Sequence, residues 1–151
     1  MINRSLYLGV YHMNPEEELQ RYALLIENYK AQLESLENQF SLIQAAILEY
    51  TKAKITLEKL SSADENMDIL IPLGGGTFTY GKATDTSKIL TDIGEGLLLE
   101  KEPSEAIKNL DKRIENLQQT QETISKMSQR IQEELSDLST KAQKLLAERE
   151  K

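Results

Sequence analysis

The sequence has no cysteine, no tryptophan and a single histidine. Without cysteine there are no disulfides and no thiolate metal sites. The lone His12 has no second histidine or cysteine with which to share a metal, and no nucleophile-and-base arrangement can be built on it. No cofactor is expected. Two Phe and six Tyr are a poor filling for a globular core. No stretch approaches the roughly 20 apolar residues that a membrane span needs. Leu6–Tyr11 is short for a signal-peptide core and is followed by no small-residue cleavage site, so the chain reads as cytoplasmic, with no membrane partner. Positive charge is also scarce: 18 Lys and Arg stand against 25 acidic residues, a net charge of −7. That balance argues against a nucleic-acid partner, whose phosphates are held by clustered positive charge.

Glycine and proline are missing from two long stretches, and there the chain reads as helix. Asn14-Pro15-Glu16-Glu17 has the grammar of a helix start: a cap, a proline suited to the first turn, and acids at the positive end of the dipole. Residues 1–13 read as an N-terminal tail. From Leu19 the apolar residues recur at alternating steps of three and four, through Tyr22, Ile26, Tyr29, Leu33, Leu36, Phe40, Ile43, Ile47 and Tyr50 to Lys54 and Leu57. A 3.5-residue repeat of that length is the seam of a left-handed coiled coil. Glu102-Pro103-Ser104-Glu105 opens a second ladder: Ile107, Leu110, Ile114, Leu117, Gln121, Ile124, Ser128, Ile131, Leu135, Leu138, Ala142, Leu145. Folded at the segment between them, the ladders match position for position, with Leu57 against Ile107, Phe40 against Ile124, and Leu19 against Leu145. The match predicts an antiparallel coiled-coil hairpin with both chain termini at its far tip.

The segment 63–103 is different. Apolar, β-rich runs at Ile69–Leu73, Thr77–Tyr80, Ile89–Ile93 and Leu97–Leu99 alternate with turn material at Gly74-Gly75-Gly76, Gly81 to Ser87 and Gly94-Glu95-Gly96. It carries eight acids and three bases, which makes it the most acidic part of the chain. Ile69-Leu70-Ile71 and Leu97-Leu98-Leu99 are apolar on both faces, and two small hairpins are marginal in water. Strands from several chains joining into a shared sheet or barrel would supply the missing cover. The fold class is mainly α with a small β insert: a coiled-coil arm over 14–62 and 104–151, and a β-hairpin oligomerisation region over 63–103.

No enzyme is expected. The glycines lie between strands and no Gly-Lys-Ser/Thr follows them, so they are turns and not a phosphate cradle. Glu133 and Glu134 lie on a helix surface without a desolvated cleft. Tyr22, Tyr29 and Tyr50 have seam spacing. At the tip, Tyr22, Leu24, Leu25 and Ile26 are more apolar surface than a two-helix seam buries, with Leu145 and Leu146 opposite. Exposed apolar surface there is a candidate contact site; the plain alternative is fraying of an amphipathic end.

The insert carries the specific signal. Ile71-Pro72-Leu73-Gly74, Thr79-Tyr80-Gly81-Lys82 and Asp92-Ile93-Gly94-Glu95-Gly96, followed by an apolar run and Glu100-Lys101, resemble the α-type subunit of the prefoldin family. The resemblance implies an ATP-independent holdase of the cytosol. Two α-type subunits would join four β-type subunits through a double β-barrel platform, and coiled-coil tips would hold unfolded clients before transfer to a group II chaperonin. Carried over to this chain, it places oligomerisation contacts at Ile69, Ile71, Leu73, Phe78, Tyr80, Ile89, Ile93, Leu97 and Leu99. Client contacts fall at Leu19, Tyr22, Leu25, Ile26, Leu138, Leu145 and Leu146. Two other readings stand beside it: a homo-oligomeric, filament-forming prefoldin variant, and a coiled-coil spacer with no chaperone activity. A nucleic-acid-binding arm is disfavoured by the net charge.

Overall fold

The computed structural model describes residues 13–149. His12 and nearly all of the expected tail lie outside the described residues. The elements follow the order α1 (Pro15–Ser61), β1 (Met67–Gly74), β2 (Thr77–Ala83), β3 (Ile89–Asp92), β4 (Leu98–Lys101) and α2 (Pro103–Arg149). Each helix is 47 residues long. The chain divides into two units, one ending at Phe40 and resuming at Thr123, the other running from Ser41 to Glu122.

Local chemistry sets the helix ends. The Glu16 N–H donates to the Asn14 side-chain oxygen at 3.3 Å, and the Glu18 N–H to the Asn14 carbonyl at 3.0 Å. These bonds satisfy donors that a helix N-terminus leaves free. At the other end the Ser61 and Ser62 hydroxyls donate to the Glu58 carbonyl, drawing the backbone out of its helical pattern. Asn66 then takes a left-handed conformation (φ 63°), and its N–H donates to the Ala83 carbonyl at 3.0 Å, tying the turn to β2. Pro103 occupies the first turn of α2, and the Glu105 and Ala106 N–H groups donate to the Glu102 carbonyl.

In the first unit, the half-buried Tyr29 of α1 donates its hydroxyl to Glu134 of α2. The ladder rule places Tyr29 opposite Leu135, the next residue. In the second unit Lys54 reaches Asp111 at 2.6 Å, and the Arg113 guanidinium lies 5.8 Å from the centre of the Tyr50 ring. The rule places Lys54 opposite Leu110 and Tyr50 opposite Ile114. Each contact is one residue from its expected partner, so within each unit the register has not slipped by a heptad. Every ladder residue of both helices is buried or half-buried. Lys54, the polar exception on α1, finds the Asp111 carboxylate across the seam.

The strands form two separate antiparallel pairs, β1 with β2 and β3 with β4. Gly75 and Gly76, at φ 59° and 76°, make the two-residue turn between β1 and β2. Two successive positive φ angles match the twist of a tight hairpin. Glu95 and Gly96 repeat the device at φ 53° and 76°, closed by the Leu97 N–H to the Gly94 carbonyl at 3.0 Å. Gly81 is needed for another reason. A Cβ there would stand 2.6 Å from the Ile71 Cδ1, because Ile71 folds across the cross-strand glycine. Gly81→Val should push Ile71 out of place and weaken the hairpin by about 1–2 kcal/mol. Hydrogen exchange at the Ile69 and Ile71 amides reads this; unchanged protection would show that Ile71 relaxes without loss.

Candidate functional site

Pairing sorts the strand residues onto two faces. Met67, Ile69 and Ile71 share one face of β1, opposite Ala83, Gly81 and Thr79. On this face Ile69, Gly81 and Ala83 are half-buried. The other face carries Leu70 opposite Tyr80 and Pro72 opposite Phe78, with Asp68 opposite Lys82 beyond them. It is bare: Leu70 is 60% exposed, Phe78 61% and Tyr80 88%. The second hairpin repeats the split. Ile89 and Thr91 are half-buried, while Leu90 and Leu98 lie exposed on the opposite face.

Of the nine expected oligomerisation residues, Ile71, Leu73, Phe78, Tyr80, Ile93, Leu97 and Leu99 are exposed in the single chain, and Ile69 and Ile89 are half-buried. Sequence reasoning passed over Leu70, Leu90 and Leu98. Runs that are apolar at every position carry no alternation to mark the open face, so only the pairing register identifies it.

The first unit holds the expected client contacts at its Pro15 and Arg149 end. Leu19, Tyr22, Leu25, Ile26, Leu138 and Leu145 are half-buried, and Leu146 is exposed. Leu25, Tyr29 and Leu138 line a shallow depression together with Glu134, Asp137 and Lys141. Leu24, named with the tip's apolar residues but not among the expected client contacts, is 69% exposed and sits beside Gln20, Ala23 and Glu27. Leu24 and Leu146, with Met13 less open at 37% exposure, are the open apolar side chains of this end, with half-buried seam residues beside them.

Three groups on the helices hold their protons more tightly than usual. The hydrogen bond from Tyr29 to Glu134 raises the phenol pKa, and Tyr22 is raised in the same way by its 2.6 Å bond to Glu18. Asp111 raises the Lys54 pKa against the opposing pull of desolvation. A raised pKa contributes stability that is present below the ordinary value and lost as pH rises through the folded one. All three losses therefore fall above about pH 10. The helical melting temperature should drop there, and Tyr29→Phe should remove part of the drop. Circular-dichroism melts between pH 8 and 11.5 test this; an unchanged alkaline slope in the variant would overturn the assignment to Tyr29. Between the hairpins, Asp85 accepts hydrogen bonds from the Ser87 hydroxyl and N–H, which hold its carboxyl below the usual range.

Among the described residues no group of three or more His, Asp or Glu is placed to hold a metal ion. No helix among them is long and apolar enough to cross a membrane. The arrangement offers apolar surface and hydrogen-bonding strand edges.

Comparison with known proteins gives that arrangement a place. The family model for prefoldin subunits matches residues 29–148, from within α1 through all four strands and nearly all of α2. The chain belongs to the prefoldin family. Among curated relatives, the prefoldin subunit alpha of Archaeoglobus fulgidus is 33% identical over 131 residues, covering 82% of this chain and 96% of the relative. That of Methanococcoides burtonii is 32% identical over 120 residues, covering 77% and 87%. Among solved structures, filamentous PFD from Methanocaldococcus jannaschii matches with a TM-score of 0.68 at 22% identity, covering 77% of this chain and 96% of that one. A prefoldin beta subunit from a Thermococcus strain matches at 0.57 and 18%, covering 87% and 94%. Prefoldin is a chaperone family with roles in protein folding, and this chain's curated relatives are alpha subunits. The two structural likenesses show a shared fold of two long helices joined through two small hairpins.

Proposed function

We propose that this chain is the α-type subunit of an ATP-independent holdase. The observation that carries the reading is the division of exposed apolar surface between the two units. Strand faces stand open in one, at Leu70, Phe78, Tyr80, Leu90 and Leu98, and Leu24 and Leu146 stand open in the other. Bare two-stranded sheets need further strands, so the hairpins serve assembly, with two chains of this type joining four β-type subunits in a barrelled platform. The oligomerisation region is 63–103, and the arms are 14–62 and 104–151. The open end of each arm grips non-native segments weakly, and several arms together gain through effective concentration. A cytoplasmic location and transfer of the client to a group II chaperonin complete the reading.

Shortening both helices by two or three heptads at the Pro15 and Arg149 end tests it. The shortened complex should assemble normally and lose the ability to suppress aggregation of a denatured protein. Full suppression by the shortened complex would sink the assignment.

A filament is the second reading, favoured by the fold shared with the filamentous protein of Methanocaldococcus jannaschii. Native mass spectrometry of complexes captured from the cytoplasm separates the two. A hexamer of mixed subunits supports the first, and a ladder of homo-oligomers the second.

A further inference from the structure

The twelve residues before Met13 carry a concentrated apolar run. In Leu6-Tyr7-Leu8-Gly9-Val10-Tyr11 only the glycine is neither aliphatic nor aromatic. The seam ladder starts at Leu19, so the run has no place in it. The same twelve residues include no acid and one base, Arg4.

α1 presents a matching surface close by. Among the described residues of the first unit, Leu24 is the most open large apolar side chain, at 69% exposure. It lies in a shallow depression with Gln20, Ala23 and Glu27, where the small Ala23 leaves room for a chain to lie close. Gln20, Leu24, Glu27, Ala31 and Glu34 follow at steps of four and three, so they share one exposed face of α1. That face is apolar at Leu24, small at Ala31 and acidic at Glu27 and Glu34.

We infer that residues 4–11 fold back onto this face and cover Leu24 until a client displaces them. Reach, apolarity and charge select this occupant. Leu24 stands about 14 Å along α1 from Pro15, at 1.5 Å per residue. A chain turned back at His12 and laid out at about 3.3 Å per residue covers that distance in roughly four residues. Leu8 then comes level with Leu24, and Leu6, Leu8 and Val10 share the side turned to the helix. Arg4 falls about 13 Å farther on, between Glu27 and Glu34. A tether this short holds the segment at an effective concentration on the order of 1 mM. Against a grip with a dissociation constant of about 1 mM, the segment covers Leu24 roughly half of the time. The masking rests on the reading of this end as a client grip, and the experiments separate the two.

A photo-crosslinking phenylalanine replaces Tyr7 in a mixture of heavy- and light-isotope copies of the full chain, assembled with the partner subunits. Cross-links onto residues 20–34 within one copy are the expected result. Cross-links between copies, onto another kind of subunit or onto any other segment overturn the docking, as does their absence. Arg4→Glu should lower the yield at least two-fold, and Glu27→Lys with Glu34→Lys should restore it; an unchanged yield overturns the charge pairing. A chain lacking residues 2–12 should hold a denatured protein about four-fold more tightly, a factor of two for each of two α-type arms. Unchanged or weaker holding overturns the masking. If neither chain holds a denatured protein, the client reading fails and the masking with it, while cross-links onto residues 20–34 still establish the docking.

Discussion

Holding of a denatured protein should fall by about 25-fold when Leu24 and Leu146 are both replaced by serine. Leu24 is 69% exposed and Leu146 51%, so the change removes little packing from the seam and the helices should melt as before. The size of the effect comes from multiplication. Losing partial burial of a leucine against a client weakens each grip by about 1 kcal/mol, or roughly five-fold. When both arms of this type hold one client, those losses compound to about 25-fold. Aggregation suppression at graded complex concentrations measures it. A loss of only a few-fold would mean that clients are held elsewhere or by one arm at a time.

Stability should respond in the opposite places. Ile124→Ala should cost about 3 kcal/mol, and Leu36→Ala a similar amount. Both side chains are almost closed off from water, at 6% and 7% exposure. In the first unit they stand beside the two positions where the seam is least forgiving. The ladder sets Leu36 against Ser128, and Ile124 lies between Gln121 and Ser128 on its own helix, so each has a polar seam neighbour that does not take up the lost volume. Leu42→Ala, at a side chain 72% exposed, should change stability by less than about 0.5 kcal/mol. Urea melts of the assembled protein compare the three. Equal costs at Ile124 and Leu42 would mean that the seam does not hold the first unit together.

The helices were legible in the sequence because a 3.5-residue repeat admits one reading. A residue at a seam position must face the partner helix, whatever its chemistry. Even Lys54, a poor seam residue by composition, lies where the ladder puts it and finds Asp111. The turns were legible for a similar reason, since Gly75-Gly76 supplies the backbone angles that a two-residue hairpin demands. The open strand faces were not. Every position from Ile69 to Leu73 is apolar or proline, and the side that stays bare is decided by pairing Leu70 with Tyr80. Leu24 was legible as part of the tip's excess apolar surface, but its spacing does not show that it stands more open than Leu25, which is half-buried.

One more property follows from how thin the interior is. Only Leu36, Ala106 and Ile124 are buried hydrophobic residues among those described, and the rest of the seam stays partly wet. Melting such a chain uncovers little apolar area that was not already hydrated. Its heat-capacity increment should therefore fall below the usual 12–15 cal/mol/K per residue, roughly in proportion to the missing burial. A small increment flattens the curve of free energy against temperature. The seam then strengthens little at its optimum and weakens little on cooling or mild heating, so one set of contacts serves across a broad thermal range.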